Sequence, residues 1–377
     1  MITSFEIENF RCFHQTKGNG FSNVNLFGGQ NNIGKSALLE AIYLMGSPTN
    51  QSITFLLALR RIGKLQLTSD PNKAWDNFFY KQDKTETISF NFDQNADKHK
   101  VTLTCNEFIT EFIELIQDEK ALPETSLIDF ANSLSNSETL KSSLHIEAYK
   151  NMALSPPYSS IFVASSNGVL GGGEVIKFIE TNFIPSGVKA STEKLAKEFD
   201  KIKFEGKLDL LLDAFKIIDP SIEKVDTFTL GEPSLYVKRI NEDFLPISLF
   251  GDAMTRIADF VLRIVNNPNS ILLIDEIENG IHHTAHQEVW RMLFRLSKQY
   301  NVQIFATSHS AEMIEAFKDV IVENDDEKDG NYFELMRHLI SNEIIIQRIP
   351  ATSLNSKLNN GEPIRGEMLK PLKKHLL

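Results

Sequence analysis

Cysteine is scarce in this chain: Cys12 and Cys105 stand alone among 377 residues and could close at most one bridge. Without a secretory pattern ahead of them, a disulfide framework is excluded and the pair reads as small, reduced core residues. Long apolar runs are missing too. No stretch reaches the roughly 18 unbroken apolar residues of a membrane-spanning helix. The first 20 residues, MITSFEIENFRCFHQTKGNG, carry charge where a signal peptide would be apolar. The expected location is the cytoplasm. Basic charge is in deficit, with 39 Lys and Arg against 50 Asp and Glu and a formal net charge of −11. That excludes a surface basic throughout, so any nucleic-acid contact must be local or supplied by a partner. Basic clusters occur at Arg60, Arg61 and Lys64 and at Lys370, Lys373 and Lys374, and solvated helix faces account for them at least as well. Internal repeats are absent, as is a heptad run long enough for an extended coiled coil.

What is present is ample material for a core, with 42% hydrophobic and 10% aromatic residues in a chain long enough for two or three compact units. Residues 2–10 alternate apolar and polar, and Val24 to Phe27 is a short apolar run entering a glycine turn, so both read as strands. Ser36 to Met45 has helical periodicity, which makes the first fifty residues strand, glycine loop, helix. A helical LLALRRI stretch, a β pair (TETISFNFD and KHKVTLTCN) and a polar helical region over about 106–142 follow. Strands return at LHIEAYK and SSIFVAS, then a loop at Gly171, Gly172 and Gly173, then helices over about 174–216. Alternation resumes over 222–240, and a helix from Gly251 to Val265 leads to the apolar strand ILLID at 271–275. Another helix (283–300) and another strand (302–308) complete the pattern. Helix and strand alternating around short buried strands is the layout of a parallel sheet flanked by helices. The middle reads as an insertion into one unit, giving expected divisions at 1–105, 106–221 (mainly helical, with some β) and 222–377.

The strongest motif is Gly29-Gln30-Asn31-Asn32-Ile33-Gly34-Lys35-Ser36, a G-x-x-x-x-G-K-S phosphate loop between an expected strand and an expected helix. Its glycines let the backbone wrap phosphates. Amides at the helix start, including those near Ala37, point at negative oxygen, Lys35 reaches the terminal phosphates, and the Ser36 hydroxyl ligates magnesium. ATP and Mg2+ are thus the expected ligands, with Asn31 and Asn32 inside the loop. Phosphoryl transfer also needs a carboxylate for the metal and a group to orient water. Ile271 to Ile274 make a buried strand that ends in Asp275 and Glu276. Acids there sit at the strand edge where ligands bind in open α/β sheets: Asp275 holds metal, Glu276 acts as base. Thirty-four residues on, Thr307-Ser308-His309-Ser310 ends the next strand and puts an imidazole, His309, at the same edge. The helical spacing of His282 and His286 suits zinc, but the string His-His-Thr-Ala-His lacks a third ligand and the glutamate of a metalloprotease, so surface or interface histidines are the expectation.

Strand-end Asp-Glu followed by helix and strand-end Ser-His resembles the ABC ATPase fold, not the kinase or GTPase branches of phosphate-loop proteins. The opening Glu8-Asn9-Phe10-Arg11-Cys12-Phe13 and the Asn31-Asn32 form of the loop resemble the RecF/SMC/OLD-like group, whose N-terminal arginine lies near nucleotide; Arg11 is the match. The resemblance covers the first 50 residues and about 240–320 by motif, with a weak echo over Asn359 to Arg365. It implies an ABC ATPase head with a mixed or parallel sheet, an antiparallel β subdomain and an inserted helical lobe. It also implies a loop from a second chain completing each site. Ser248-Leu249-Phe250-Gly251 stands where that loop belongs, matching it only as S-x-x-G through Ser248 and Gly251. Glu278 to His282 resembles the D-loop at the same interface, and a Q-loop glutamine has no clear match. The implied protein is a homodimer, or larger assembly, that closes around ATP. In the OLD-like group such motion commonly governs a TOPRIM nuclease, often in defence against bacteriophage. About 57 residues follow position 320, and the acidic Asp325-Asp326-Glu327 lacks TOPRIM strands around it, so a nuclease or toxin effector is expected on a separate polypeptide. Two alternatives stand: a RecF-like clamp that binds DNA directly, and a largely non-catalytic ATP-bound scaffold.

Overall fold

The computed structural model describes residues 1–60, 70–106, 140–151, 157–165, 168–173, 176–229, 231–323, 329–338 and 340–359. Three sheets are built from sixteen strands among them. Strands β1 (Ile2–Phe10), β2 (Phe13–Asn19), β4 (Ile88–Gln94), β5 (Asp97–Asn106), β6 (Leu140–Tyr149), β7 (Tyr158–Ser165) and β8 (Gly168–Gly173) form a seven-stranded antiparallel sheet in the order β2-β1-β4-β5-β6-β7-β8. The sheet draws strands from both sides of residue 105.

The second sheet positions the site. It comprises β3 (Val24–Gly29), β9 (Thr181–Ile184), β13 (Ile271–Ile274), β14 (Gln303–Thr307), β15 (Gly330–Arg337) and β16 (Ile344–Ile349), in the order β16-β15-β3-β14-β13-β9. All its pairings are parallel except that of the edge strand β16 with β15. Its strands are apolar on both faces because each face covers a core. Val24, Leu26, Leu272, Ile274, Ile304 and Ala306 pack into one cluster with helices α3 (Thr192–Phe204), α4 (Leu208–Ile218), α5 (Asp252–Asn266), α6 (His286–Tyr300) and α7 (Ala311–Glu323). Phe27, Ile271, Leu273 and Phe305 point the other way, into a cluster shared with α1 (Lys35–Gly46), α2 (Asn50–Leu59) and the seven-stranded sheet. The period-2 alternation of strand side chains thus divides one sheet between two cores. A three-stranded meander, β10 (Ile222–Thr229), β11 (Pro233–Arg239) and β12 (Phe244–Pro246), leads into α5, and α8 (Ala351–Asn359) follows β16.

Two expectations are corrected. The glycines at 171–173 belong to strand β8, with Gly171 opposite Phe162. Their lack of side chains serves a close approach instead of a turn, since a Cβ on Gly171 would strike the side chain of Asn50. The stretch 174–216 is not helical throughout: β9 pairs in parallel with β13, and the helices start at Thr192 behind a Ser191 cap that accepts the Lys194 amide. Four residues are too few for a strand pattern to stand out from sequence. Most of the expected helical region at 106–142, Arg61, Lys64, the Asp325 cluster, Lys370, Lys373 and Lys374 and the closing segment past 359 lie outside the described residues. No helix among the described residues is long and apolar enough to cross a membrane.

Candidate functional site

The C-terminal ends of β3, β13 and β14 converge on a cavity of about 780 Å³. Arg11, Asn31, Asn32, Gly34, Lys35, Ser36, Ala37, Asp275, Glu276 and His309 all line it. Residues separated by more than 200 positions meet because β3 and β13 flank the same strand, β14.

The loop between β3 and α1 has the shape its glycines permit. Gly34 has φ +110, and a Cβ there would lie 2.7 Å from Cys12 Sγ; Gly29 has φ +147, and a Cβ would lie 2.8 Å from the Leu335 carbonyl oxygen. Either substitution would therefore strain the loop and displace it or its neighbour. No side chain caps α1 at Gly34, so its first amides remain available to an anion. Lys35 Nζ donates to the carbonyls of Gly29 (2.8 Å) and Gln30 (2.9 Å), bracing the loop from within.

At the second residue of α1, Ser36 Oγ donates to Asp275 Oδ2 at 2.8 Å. The other oxygen, Oδ1, accepts the Thr307 hydroxyl at 2.6 Å, and Thr307 Oγ1 in turn accepts the Glu276 amide at 2.9 Å. A hydroxyl and a carboxylate facing each other in this way are a donor set suited to a hard divalent cation such as magnesium. Glu276 sits at φ +48, in the left-handed region that costs a non-glycine residue free energy. It is held there at both ends, by Thr307 at its amide and by Arg256 Nη2, which donates to the carbonyls of Asp275 (2.7 Å) and Glu276 (2.8 Å). Burial pushes the Arg256 pKa down, with Asp259 and Asp275 opposing.

The Glu276 carboxylate accepts from Asn279 Nδ2 at 2.7 Å and lies 4.0 Å from His309 Nδ1. His309 Nδ1 is closer to Glu278 Oε1, at 2.9 Å, and that oxygen also accepts the amides of His309 (2.8 Å) and Ser310 (3.2 Å). The D-loop-like turn is thus tied to the site of its own chain.

Arg11 lines the cavity but is largely buried. It pairs with Glu40 of α1 and donates through Nη1 to the Asn77 carbonyl at 2.9 Å, while Arg60 Nη2 reaches Glu40 Oε1 at 2.8 Å. Burial lowers the Arg11 pKa to about 10, with Glu40 opposing, and raises that of Glu40, with Arg11 and Arg60 opposing. Ser248 and Gly251 do not line this cavity: Ser248 lies in the short turn Ile247–Phe250, and Gly251, at φ +85, precedes α5. Both are exposed, as is Leu249 at 69%. His286 is buried with Nε2 against the Ile281 carbonyl, which removes it from the exposed pair His282 and His283.

Sequence reasoning missed Glu40, Thr307, Arg256 and the hold of Glu278 on His309. Glu40 was within reach: four residues after Ser36, it shares the helix face that meets the cavity. Thr307 stands beside His309 at a strand end but no motif gives it a role, and nothing in the spacing of Arg256 marks it.

A family model described as "AAA domain, putative AbiEii toxin, Type IV TA system" matches residues 24–315. The chain is 29% identical over 341 residues to an ATP/GTP phosphatase of Helicobacter pylori, spanning 86% of this chain and 90% of that protein. It is 32% identical over 103 residues to an uncharacterised protein of Methanocaldococcus jannaschii, covering 27% of this chain and 46% of that one. Among solved structures, it is similar to the SMC head domain from Thermotoga maritima, with a TM-score of 0.46 and 10% identity, over 92% of this chain and 98% of the other.

Proposed function

The chain belongs to the AAA-domain family whose model matches 24–315, and on that premise we propose that it is an ABC-type ATPase that binds ATP with magnesium and hydrolyses it at this cavity. The observation that carries the reading is the chain of contacts Ser36–Asp275–Thr307–Glu276 at the mouth of the glycine loop. Lys35 and the first amides of α1 hold the phosphates. Ser36 and Asp275 hold the metal, which when bound supplies charge neutralisation on the transferring phosphoryl group. Glu276 accepts the proton of the attacking water, and His309 meets the terminal phosphate. Arg11 rests between Glu40 and the cavity and contributes positive charge at the nucleotide's edge. An ATP/GTP phosphatase as relative supports hydrolysis as the activity.

The site is completed in trans by Ser248, Gly251 and the amides at the start of α5 from a second copy. Their exposure, beside Leu249 at 69%, supports a self-associating face. Hydrolysis removes the phosphate that bridges the two copies and loosens the pair. We propose further that this motion controls a separate effector, a toxin or nuclease, in defence against phage; the family's description as a putative toxin of a type IV toxin–antitoxin system ties the matched domain to toxin–antitoxin systems. The deciding measurement is the solution mass of Glu276→Gln with and without ATP and magnesium. A nucleotide-dependent dimer is expected, and a monomer under every condition would refute the shared site.

A further inference from the structure

Beside Glu276 and His309 lies a buried carboxylate to which the hydrolytic reading gives no work. Glu278 has a side chain only 9% exposed, and the contacts of its carboxylate are with His309 and Ser310 at the site edge. Its Oε1 receives three contacts, the His309 and Ser310 amides and His309 Nδ1. Its Oε2 is buried without a hydrogen-bond partner among the described residues. A glutamate kept for stability alone would be poorly placed, since a buried carboxylate oxygen without a donor is costly.

The arrangement has a chemical consequence. A carboxylate only accepts, so Nδ1 facing it must carry the imidazole proton, and Nε2 is the nitrogen left for the cavity that His309 lines. The two amides clamp Glu278 to the backbone of the residue whose ring it orients, so backbone and ring move together. One residue on, Asn279 holds Glu276 through Oε2, so the 4.0 Å separation of Glu276 and His309 is fixed from both sides by a single turn. We infer that Glu278 is the positioning residue for His309, keeping a proton on Nδ1 and turning Nε2 to the cavity, where Nε2 donates to the terminal phosphate once it carries a proton of its own, a state that the facing carboxylate favours. The inference rests on the hydrolytic reading for its catalytic effect but not for the tautomer.

The test uses the full chain with ATP and magnesium, in wild type, Glu278→Gln, Glu278→Ala, His309→Ala and the Glu278→Ala/His309→Ala double variant. Loss of one positioned donor to the transferring phosphate lowers turnover by roughly 10²-fold. Glu278→Ala is expected to lower kcat about as far as His309→Ala while leaving KM within about threefold, and the double variant to fall no further than His309→Ala alone. Glu278→Gln, whose amide oxygen accepts the same donors, should retain more activity than Glu278→Ala. Independently, imidazole 15N NMR without nucleotide, with the His309 signal assigned by its loss in His309→Ala, should show the proton on Nδ1 in wild type and a redistribution in Glu278→Ala. Multiplying effects in the double variant, or a tautomer unchanged by Glu278→Ala, would overturn the inference. If wild type hydrolyses no ATP, the activity reading fails and the NMR arm still decides the role of Glu278.

Discussion

The edge around Asp275 and the segment around Ser248 are two halves of one expected site, and they are built in opposite ways. At the first, Ser36, Asp275, Thr307 and Glu276 are joined by consecutive hydrogen bonds, with Asn279, Glu278 and His309 tied on through further contacts. At the second, Ser248 and Gly251 face solvent next to an exposed Leu249, and no side chain caps the helix behind them. The first half is organised in advance by its own chain, with reorganisation cost already met in folding. The second must be organised by contact. The groups that need sub-ångström placement for chemistry are thus locked, and those that recognise a partner are left adaptable. A bridge joins the halves, because Arg256, one turn into the helix that Gly251 starts, grips the carbonyls of Asp275 and Glu276.

The comparison is broken most completely by disabling each half on a different chain. Lys35→Ala is expected to abolish nucleotide binding, and Ser248→Arg to bind ATP as a monomer without turning it over. Mixed, the two should recover about one working site per heterodimer, read as ATPase activity against mixing ratio. Absence of recovery at every ratio would show that the exposed segment does not serve a partner's site.

A second variant sharpens the contrast in stability. Glu40→Ala leaves Arg11 buried and unpaired and should cost about 3–5 kcal/mol in denaturant unfolding. Arg11→Met with Glu40→Leu, which removes both charges, should be substantially less destabilised. Ser248→Ala, on the adaptable half, should lie within about 0.5 kcal/mol of wild type. Equal losses at Glu40 and Ser248 would show that the two halves do not differ in this way.

The smallest expected effect concerns His286, beneath the turn that carries Glu278. Burial holds its pKa below the ordinary value, with the Ile281 carbonyl opposing. Its folded pKa is depressed, so below about pH 6.5 the unfolded chain takes up a proton that the folded one refuses. The stability this contributes is present above that pH and lost as pH falls through the folded value. Wild type should therefore lose more stability between pH 7 and 5 than His286→Gln. Identical pH slopes would place the cost elsewhere.

Much of the locked half was legible in the sequence because its residues announce themselves locally. A glycine-rich loop, a Lys-Ser pair and two acids behind four apolar residues each carry their chemistry within a few positions. What stayed hidden depends on pairings across the chain. Thr307 matters because β14 sits between β3 and β13, and Arg256 because α5 packs under the end of β13; neither neighbour is visible in spacing. The glycines of β8 misled for a related reason. Out of context they signal a turn; the Asn50 side chain against Gly171 and the β7 backbone against Gly173 show why strand positions here take glycine. The four-residue β9 lacked the length for any periodicity to register.

One feature of the six-stranded sheet bears on how the molecule is made. The phosphate-loop strand β3 has only β14 and β15 as hydrogen-bonded neighbours, and the Ile2 amide is held by the side chain of Gln303. At about 5–20 residues per second, a ribosome takes roughly 15–60 s to reach the first of those partners. Through that interval an apolar strand emerges unpaired, and nucleotide has no finished pocket to stabilise. Birth of the ATP site is therefore a late event in synthesis. A messenger cut short before residue 303 would release a chain with its loop motif intact in sequence and the strand ahead of it without either neighbour.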